Sequence, residues 1–156
     1  MRRTRLSCLL LLTTLLIGLV QGVAPRAYAA PTPATPRVSW PAGGHVYWSP
    51  STGAHPVWGE IYRRWAELRY ENGRMGCPVS DENCGLVGGG CFQLFQGGSV
   101  YWSPAPGAYP VWGLIRDSWA ASGWERGRWG YPTGPEICEP RHCWQSFQGG
   151  VLDVRW

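Results

Sequence analysis

The chain has 156 residues, with 14 basic and 10 acidic groups for a formal net charge of +4, and 11 of its residues are tryptophan. Four arginines, Arg2, Arg3, Arg5 and Arg26, lie in the first 29 residues, so the remainder carries as many acidic as basic groups. A neutral body excludes the basic footprint of a protein that binds nucleic acid or an anionic membrane.

Arg2, Arg3 and Arg5 form a basic start, Leu6 to Val20 an uncharged apolar run, and Ala27-Tyr28-Ala29 a small-x-small cleavage site. This order predicts a secretory signal peptide over residues 1–29. The run, about fifteen residues long, is short for a membrane span. Residues 30–37 alternate Pro with Thr and Ala, which predicts an extended linker. Residues 38–156 are enough for one small domain.

That domain is written twice. His45-Val46-Tyr47-Trp48-Ser49-Pro50 returns as Ser99-Val100-Tyr101-Trp102-Ser103-Pro104, and Pro56-Val57-Trp58-Gly59 as Pro110-Val111-Trp112-Gly113. Trp65 returns as Trp119, Arg74-Met75-Gly76-Cys77-Pro78 as Arg128-Trp129-Gly130-Tyr131-Pro132, and Glu82 as Glu136, all at an offset of 54. The offset falls to 52 where Phe92-Gln93-Leu94-Phe95-Gln96-Gly97-Gly98 matches Trp144-Gln145-Ser146-Phe147-Gln148-Gly149-Gly150. The repeats run 45–98 and 99–150, with 151–156 a partial third. A period of this length signals a repeat architecture, which builds extended surfaces more readily than a single catalytic pocket.

Gly43-Gly44, Gly97-Gly98 and Gly149-Gly150 each separate short apolar runs, which predicts three hairpins turning on the paired glycines. Between them, Val57–Tyr70 and Val111–Ser122 read as helices, with Pro56 and Pro110 suited to a first turn. Trp58, Ile61 and Trp65, and again Trp112, Ile115 and Trp119, recur at helical spacing. The expected fold is therefore α+β: tandem hairpin–helix repeats of about 54 residues around a tryptophan-rich core, capped by half-repeats. With Gly97-Gly98 as the loop, Phe95 pairs with Val100 and Gln93 with Trp102 on one face, and Leu94 with Tyr101 on the other. The third hairpin carries Phe147 and Leu152 on the first face and Ser146 and Asp153 on the second. By that pattern Trp48, Trp102, Phe95 and Phe147 face the core, while Tyr47 and Tyr101 face solvent.

Five cysteines follow the signal segment. Cys84 aligns with Cys138 and Cys91 with Cys143, so an exported chain is expected to bridge Cys84–Cys91 and Cys138–Cys143. Each closes a short loop, worth about 2.5 kcal/mol in the loop-entropy model. Cys77 aligns with Tyr131 and has no partner within the chain, which makes it either a buried thiol or the site of an intermolecular bridge. The cysteine and His142 spacing matches no zinc finger pattern, so no metal is expected, and no cofactor motif is present.

The Gly-x-Pro segment after a tryptophan-bearing helix, followed by Ser80-Asp81-Glu82 and the Phe-Gln-Gly-Gly to Tyr-Trp-Ser-Pro hairpin, resembles the LGFP repeat. Met75-Gly76-Cys77-Pro78-Val79-Ser80-Asp81-Glu82 is similar to that family's Leu-Gly-Phe-Pro-Thr-Ser-Asp-Glu segment. The resemblance covers residues 38–156. It implies an exported actinobacterial protein attached to the cell wall, with arabinogalactan a candidate ligand. Such repeats accompany wall-modifying enzymes, and one of these is an implied partner. The signature here departs from the family's, reading Met-Gly-Cys-Pro and Trp-Gly-Tyr-Pro.

Reactive residues argue against catalysis. No Ser–His–Asp order or metal-binding helix appears. Glu82 and Glu136 are repeated carboxylates: they serve either as sugar-hydroxyl acceptors or as local partners of backbone N–H groups. Two carboxylates can cleave a glycoside, but equivalent copies along an array do not form one site. Tyr47, Tyr101, Trp124, Trp129 and Trp144 are candidates for an exposed aromatic platform, on which sugar C–H faces bury apolar area without charge. The chain therefore reads as a secreted, non-catalytic glycan-binding repeat protein associated with the cell wall. The alternatives are a secreted protein-interaction module, such as an enzyme inhibitor or accessory subunit, and a small hydrolase.

Overall fold

The computed structural model describes residues 9–10 and 44–156. Nearly all of the expected signal peptide, the whole expected linker and Gly43 of the first expected hairpin turn lie outside the described residues. Leu9–Leu10 form a two-residue strand, β1, beside β2 (His45–Ser49). After β2 come β3 (Gly53–Val57), α1 (Gly59–Glu67), β4 (Asn83–Cys84), β5 (Cys91–Phe95), β6 (Gly98–Ser103) and β7 (Gly107–Val111). The chain closes with α2 (Gly113–Ala121), β8 (Ile137–Glu139), β9 (His142–Phe147) and β10 (Gly150–Arg155). These make three antiparallel sheets, ordered β1-β2-β3, β4-β5-β6-β7 and β10-β9-β8.

The fold is α+β, and the two helices alternate with the three sheets. Trp65 of α1 meets Tyr47 of the first sheet edge-on at 4.6 Å and Phe95 of the second at 5.3 Å. Trp119 of α2 meets Tyr101 of the second sheet at 4.6 Å and Phe147 of the third at 5.4 Å. Two cores result. The first contains Tyr47, Val57, Ile61, Trp65, Met75, Cys77, Phe95 and Val100, and the second Tyr101, Val111, Ile115, Trp119, Tyr131, Phe147 and Leu152. The middle sheet serves both, one face to each.

This layering inverts the expected hairpin facing. Tyr47 and Tyr101 are 7% and 5% exposed, whereas Trp48 is 37% exposed and Trp102 is half-buried. The outer face of the third hairpin, with Ser146 and Asp153, is exposed because no helix among the described residues covers it. Extending that pattern to the earlier hairpins fails because α1 and α2 cover the tyrosine faces there. Trp48 is exposed for the mirror-image reason: no helix among the described residues covers its face of the first sheet.

Register and helix starts also differ from expectation. Phe95 pairs with Gly98, Gln93 with Val100 and Phe92 with Tyr101, so Gln96-Gly97 is the turn and Gly98 opens the next strand. Pro56 and Pro110 lie in β3 and β7 opposite Val46 and Val100, on edge strands where a missing N–H is tolerated. The helices therefore begin later, at Gly59 and Gly113. Trp58 and Trp112 stand before them with extended backbone, φ −144° and −145°. The indoles leave the helical stripe and are half-buried rather than core. Ile61, Trp65, Phe95, Ile115, Trp119 and Phe147 are buried as expected.

The Gly-x-Pro loop is held from both sides. Gln96 Oε1 accepts the Cys77 N–H at 2.9 Å, and Gln148 Oε1 accepts the Tyr131 N–H at 2.9 Å. Each core also contains one buried amide: Gln93 Nε2 donates to the Pro56 and Ser80 carbonyls, and Gln145 Nε2 to those of Pro110 and Gly134. Bridges join Cys84 to Cys91 and Cys138 to Cys143, and Cys77 is a buried free thiol.

Candidate functional site

Strand end, glycine and disulfide combine to make the same notch twice. Val57 and Val111 are fully buried and pin the ends of β3 and β7. Trp58 and Trp112 follow in extended conformation, and the next residues, Gly59 and Gly113, have φ of +58° and +51°. That left-handed step costs a residue with a Cβ about 1–2 kcal/mol, and glycine adopts it freely. It turns the chain into the helix and leaves the indole beside the disulfide loop.

The first notch is a cavity of about 330 Å³ between Trp58 and Trp102, with Glu60, Glu82 and the Cys84–Cys91 bridge in its wall. Cys91 pairs directly with Trp102 across the β5–β6 ladder, which fixes the second indole over the bridge. Glu82 is half-buried. Burial pushes its carboxyl pKa up, and a hydrogen bond donated by the Trp58 indole N–H opposes the rise.

The second notch, about 480 Å³, lies between Trp112 and Trp156, with Glu136, Glu139, Arg74 and the Cys138–Cys143 bridge. Val154 holds the position equivalent to Trp102, and Trp156, two residues further on, supplies the second indole. Burial pushes the Glu136 carboxyl up, and the Arg74 guanidinium opposes this. Arg74 also lies over the Trp112 ring, 4.9 Å from its centre. Glu136 Oε1 is 3.2 Å from Cys138 Sγ, which has no hydrogen to donate because it is bridged. Glu136 Oε2 is buried with no hydrogen-bond partner. A carboxylate kept half out of water with an unmet oxygen is a strong acceptor waiting for a donor.

Each notch groups one carboxylate with two cysteine sulfurs closely enough to suggest a metal site. The sulfurs are bonded to one another, which leaves one carboxylate, too few donors to hold a metal ion.

The other sequence-derived site residues lie elsewhere. Tyr47 and Tyr101 are core. Trp124 and Trp129 are half-buried against the second core. Trp124 stacks 6.2 Å from Tyr101, and Arg128 covers the Trp129 ring at 4.1 Å. Trp144 is half-buried, paired between Ile137 and Asp153 and 4.8 Å from the His142 ring. Of the seven glycan-binding candidates, only Glu82 and Glu136 lie in the notches. Sequence reasoning put Trp58, Trp102 and Trp112 in the core because their spacing fits a helical or strand stripe. The recurring Trp-Gly step was the available signal that the chain turns directly after the indole.

Two segments, residues 27–73 and 75–127, match the family model for the LGFP repeat. The chain belongs to the LGFP repeat family. No curated protein matches it. Both notches use residues of the repeat: Trp58 lies in the first match, and Glu82, Trp102 and Trp112 lie in the second. Among the described residues, no helix of this LGFP repeat protein is long and apolar enough to cross a membrane.

Proposed function

We propose that this protein is an exported, non-catalytic module that binds cell-wall glycan through its two tryptophan–glutamate notches. The observation that carries this reading is the double occurrence of two indoles flanking a half-buried carboxylate, at Trp58, Trp102 and Glu82 and at Trp112, Trp156 and Glu136. Indole faces match the C–H faces of a sugar ring, and a carboxylate accepts two hydrogen bonds from neighbouring hydroxyls. The pairing of a stacking surface with a fixed acceptor supports a neutral polyol ligand over an ionic one. Each notch takes one or two sugar units, and two on one rigid array gain through effective concentration. The basic start and apolar run of residues 1–29 support export, and disulfides persist in an oxidising compartment. The family supports the wall as the address and arabinogalactan as the first polymer to try.

Sedimentation with purified, protease-treated wall polysaccharide tests the reading. The parent chain should co-sediment, and Trp58→Ala with Trp112→Ala should reduce this at least about tenfold, as two weakened sites in series predict. Binding should change little between low and high salt because the chain beyond the signal segment is neutral. Binding only before protease treatment would favour a protein partner and reject the glycan reading.

A further inference from the structure

A third cleft lies away from the notches, between the Cys84–Cys91 loop and the second repeat. It is about 320 Å³ in volume, near the lower limit for ligand pockets. Its walls include Gly88 of the bridged loop, Pro104 and Pro106 of the β6–β7 turn, and the side chains of Ser103, Glu125 and Gln148. Tyr131 closes one side, its hydroxyl donating to the Val87 carbonyl at 2.6 Å, so the loop is tied to the second repeat.

The first repeat shows what this place looks like when it is satisfied. There Ser49 Oγ bonds Thr52 Oγ1 at 2.7 Å and Ser51 Oγ at 3.2 Å and accepts the Thr52 N–H at 3.2 Å. Gln96 Nε2 reaches Ser51 Oγ at 3.5 Å. In the second repeat Ser51 and Thr52 are replaced by Ala105 and Pro106, which offer neither hydroxyl nor, at proline, an N–H. Ser103, the counterpart of Ser49, is 3% exposed, and its hydroxyl has no partner. Gln148 turns its Oε1 back to the Tyr131 N–H, which leaves the NH₂ for the cleft. The Glu125 side chain is 7% exposed, and its ion-pair partner is the exposed Arg126 at 3.6 Å, beyond a direct hydrogen bond.

We propose that this cleft binds one neutral monosaccharide unit through adjacent hydroxyls, held by Glu125, Ser103 and Gln148. The donor inventory selects the ligand. Glu125 needs donors, the Gln148 NH₂ needs an acceptor, and Ser103 takes either. Hydroxyls meet all three, whereas an ammonium meets only the first and an anion is repelled by Glu125. The Pro104 and Pro106 rings give an apolar wall for the C–H face. Ser103 Oγ is enclosed, and a χ1 rotation between staggered wells turns it toward the cleft. This site does not depend on the notches.

Backbone amide NMR on the whole chain tests it, with D-galactose, D-arabinose and D-glucosamine as probes. A neutral sugar should shift the Gly88, Ser103 and Glu125 amides saturably, with a millimolar midpoint. Glu125→Gln should weaken this about tenfold or more, because the bonds lost are charge-assisted. The double variant A105S/P106T, which restores the first repeat's turn, should abolish it. Trp58→Ala with Trp112→Ala should leave it unchanged, which separates failure here from failure at the notches. Ser103→Ala should weaken binding without lowering Tm, because its hydroxyl has no partner to lose. Shifts with glucosamine alone, no shifts with any sugar, or parent-like binding by Glu125→Gln would overturn the proposal.

Discussion

The indole N–H of Trp65 donates to the carbonyl of Gly76 at 3.1 Å, and Trp119 repeats the bond to Gly130 at 3.0 Å. One buried ring therefore joins the helix, both flanking sheets and the Gly-x-Pro loop. Trp65→Ala or Trp119→Ala should cost about 3–5 kcal/mol, from lost burial and an empty site. Trp→Phe should cost about 1–3 kcal/mol, because the carbonyl loses its donor. Urea unfolding measures both, and an unchanged midpoint in either alanine variant would contradict the layered core.

Gly76 and Gly130 have φ of +66° and +64°, and an added Cβ would lie 2.7 and 2.6 Å from the Oε1 atoms of Gln96 and Gln148. Those oxygens are already committed to the loop N–H groups. Gly130→Ala therefore meets both backbone strain and a displaced glutamine, a loss of about 1–3 kcal/mol. Adding Gln148→Ala should not restore stability, since it relieves the clash but leaves the Tyr131 N–H unpaired. Thermal melts of the two single variants and the double variant measure this.

Burial pushes the Tyr101 phenol up to about 12, helped by the Glu125 carboxylate and opposed by Arg116. The folded chain thus keeps a proton that the unfolded chain releases near the ordinary phenol range around pH 10. The stabilisation is complete below that range and is lost as pH rises from about 10 towards 12. Tyr101→Phe should flatten that alkaline loss, as read from denaturation midpoints at stepped pH. Tyr101→Ala should cost about 3 kcal/mol or more, as expected for a buried aromatic.

Glu136 should show a trade between stability and binding. Its pKa is raised by burial, so it contributes stability when protonated and loses it as pH climbs out of the ordinary glutamate range. Glu136→Gln should raise Tm at neutral pH and flatten the slope through the acid range. The same variant should bind wall polysaccharide more weakly, because an amide offers one acceptor where the carboxylate offers two. Calorimetry and sedimentation on the same samples decide this: a lower Tm would mean that the carboxylate is structural.

Cys77 is 1% exposed inside the first core. A thiol reagent should label it only after unfolding, at a rate that follows global opening. Fast labelling of the folded chain, or peptide mapping that links Cys77 to another cysteine, would contradict its assignment.

The repeat period, α+β class, both disulfides, the free thiol and the helix-stripe residues Ile61, Trp65, Ile115 and Trp119 were legible from residue order alone. Each follows from a local or periodic rule: helical spacing, aligned cysteine pairs, or matching motifs 54 residues apart. Glu82 and Glu136 were legible as candidates because they repeat at an offset of 54, a signal that Glu71 and Glu125 share. Sheet facing was not legible, because alternation along a strand distinguishes two faces without naming what covers each. Tyr101 and Asp153 occupy equivalent strand positions, yet one is buried and the other exposed, because Trp119 of α2 and Trp124 beyond it pack over Tyr101. The notches depend on tertiary structure in the same way. Trp58 and Glu82 are 24 residues apart in the chain, and Trp102 a further 20. They meet because a left-handed glycine ends β3's run and the β5–β6 ladder carries Trp102 across to the Cys84–Cys91 bridge. Sequence by itself determined which residues repeat and which pair through sulfur. Only packing decided which aromatics seal a core and which stand beside a carboxylate, because burial depends on neighbours that the local pattern does not contain.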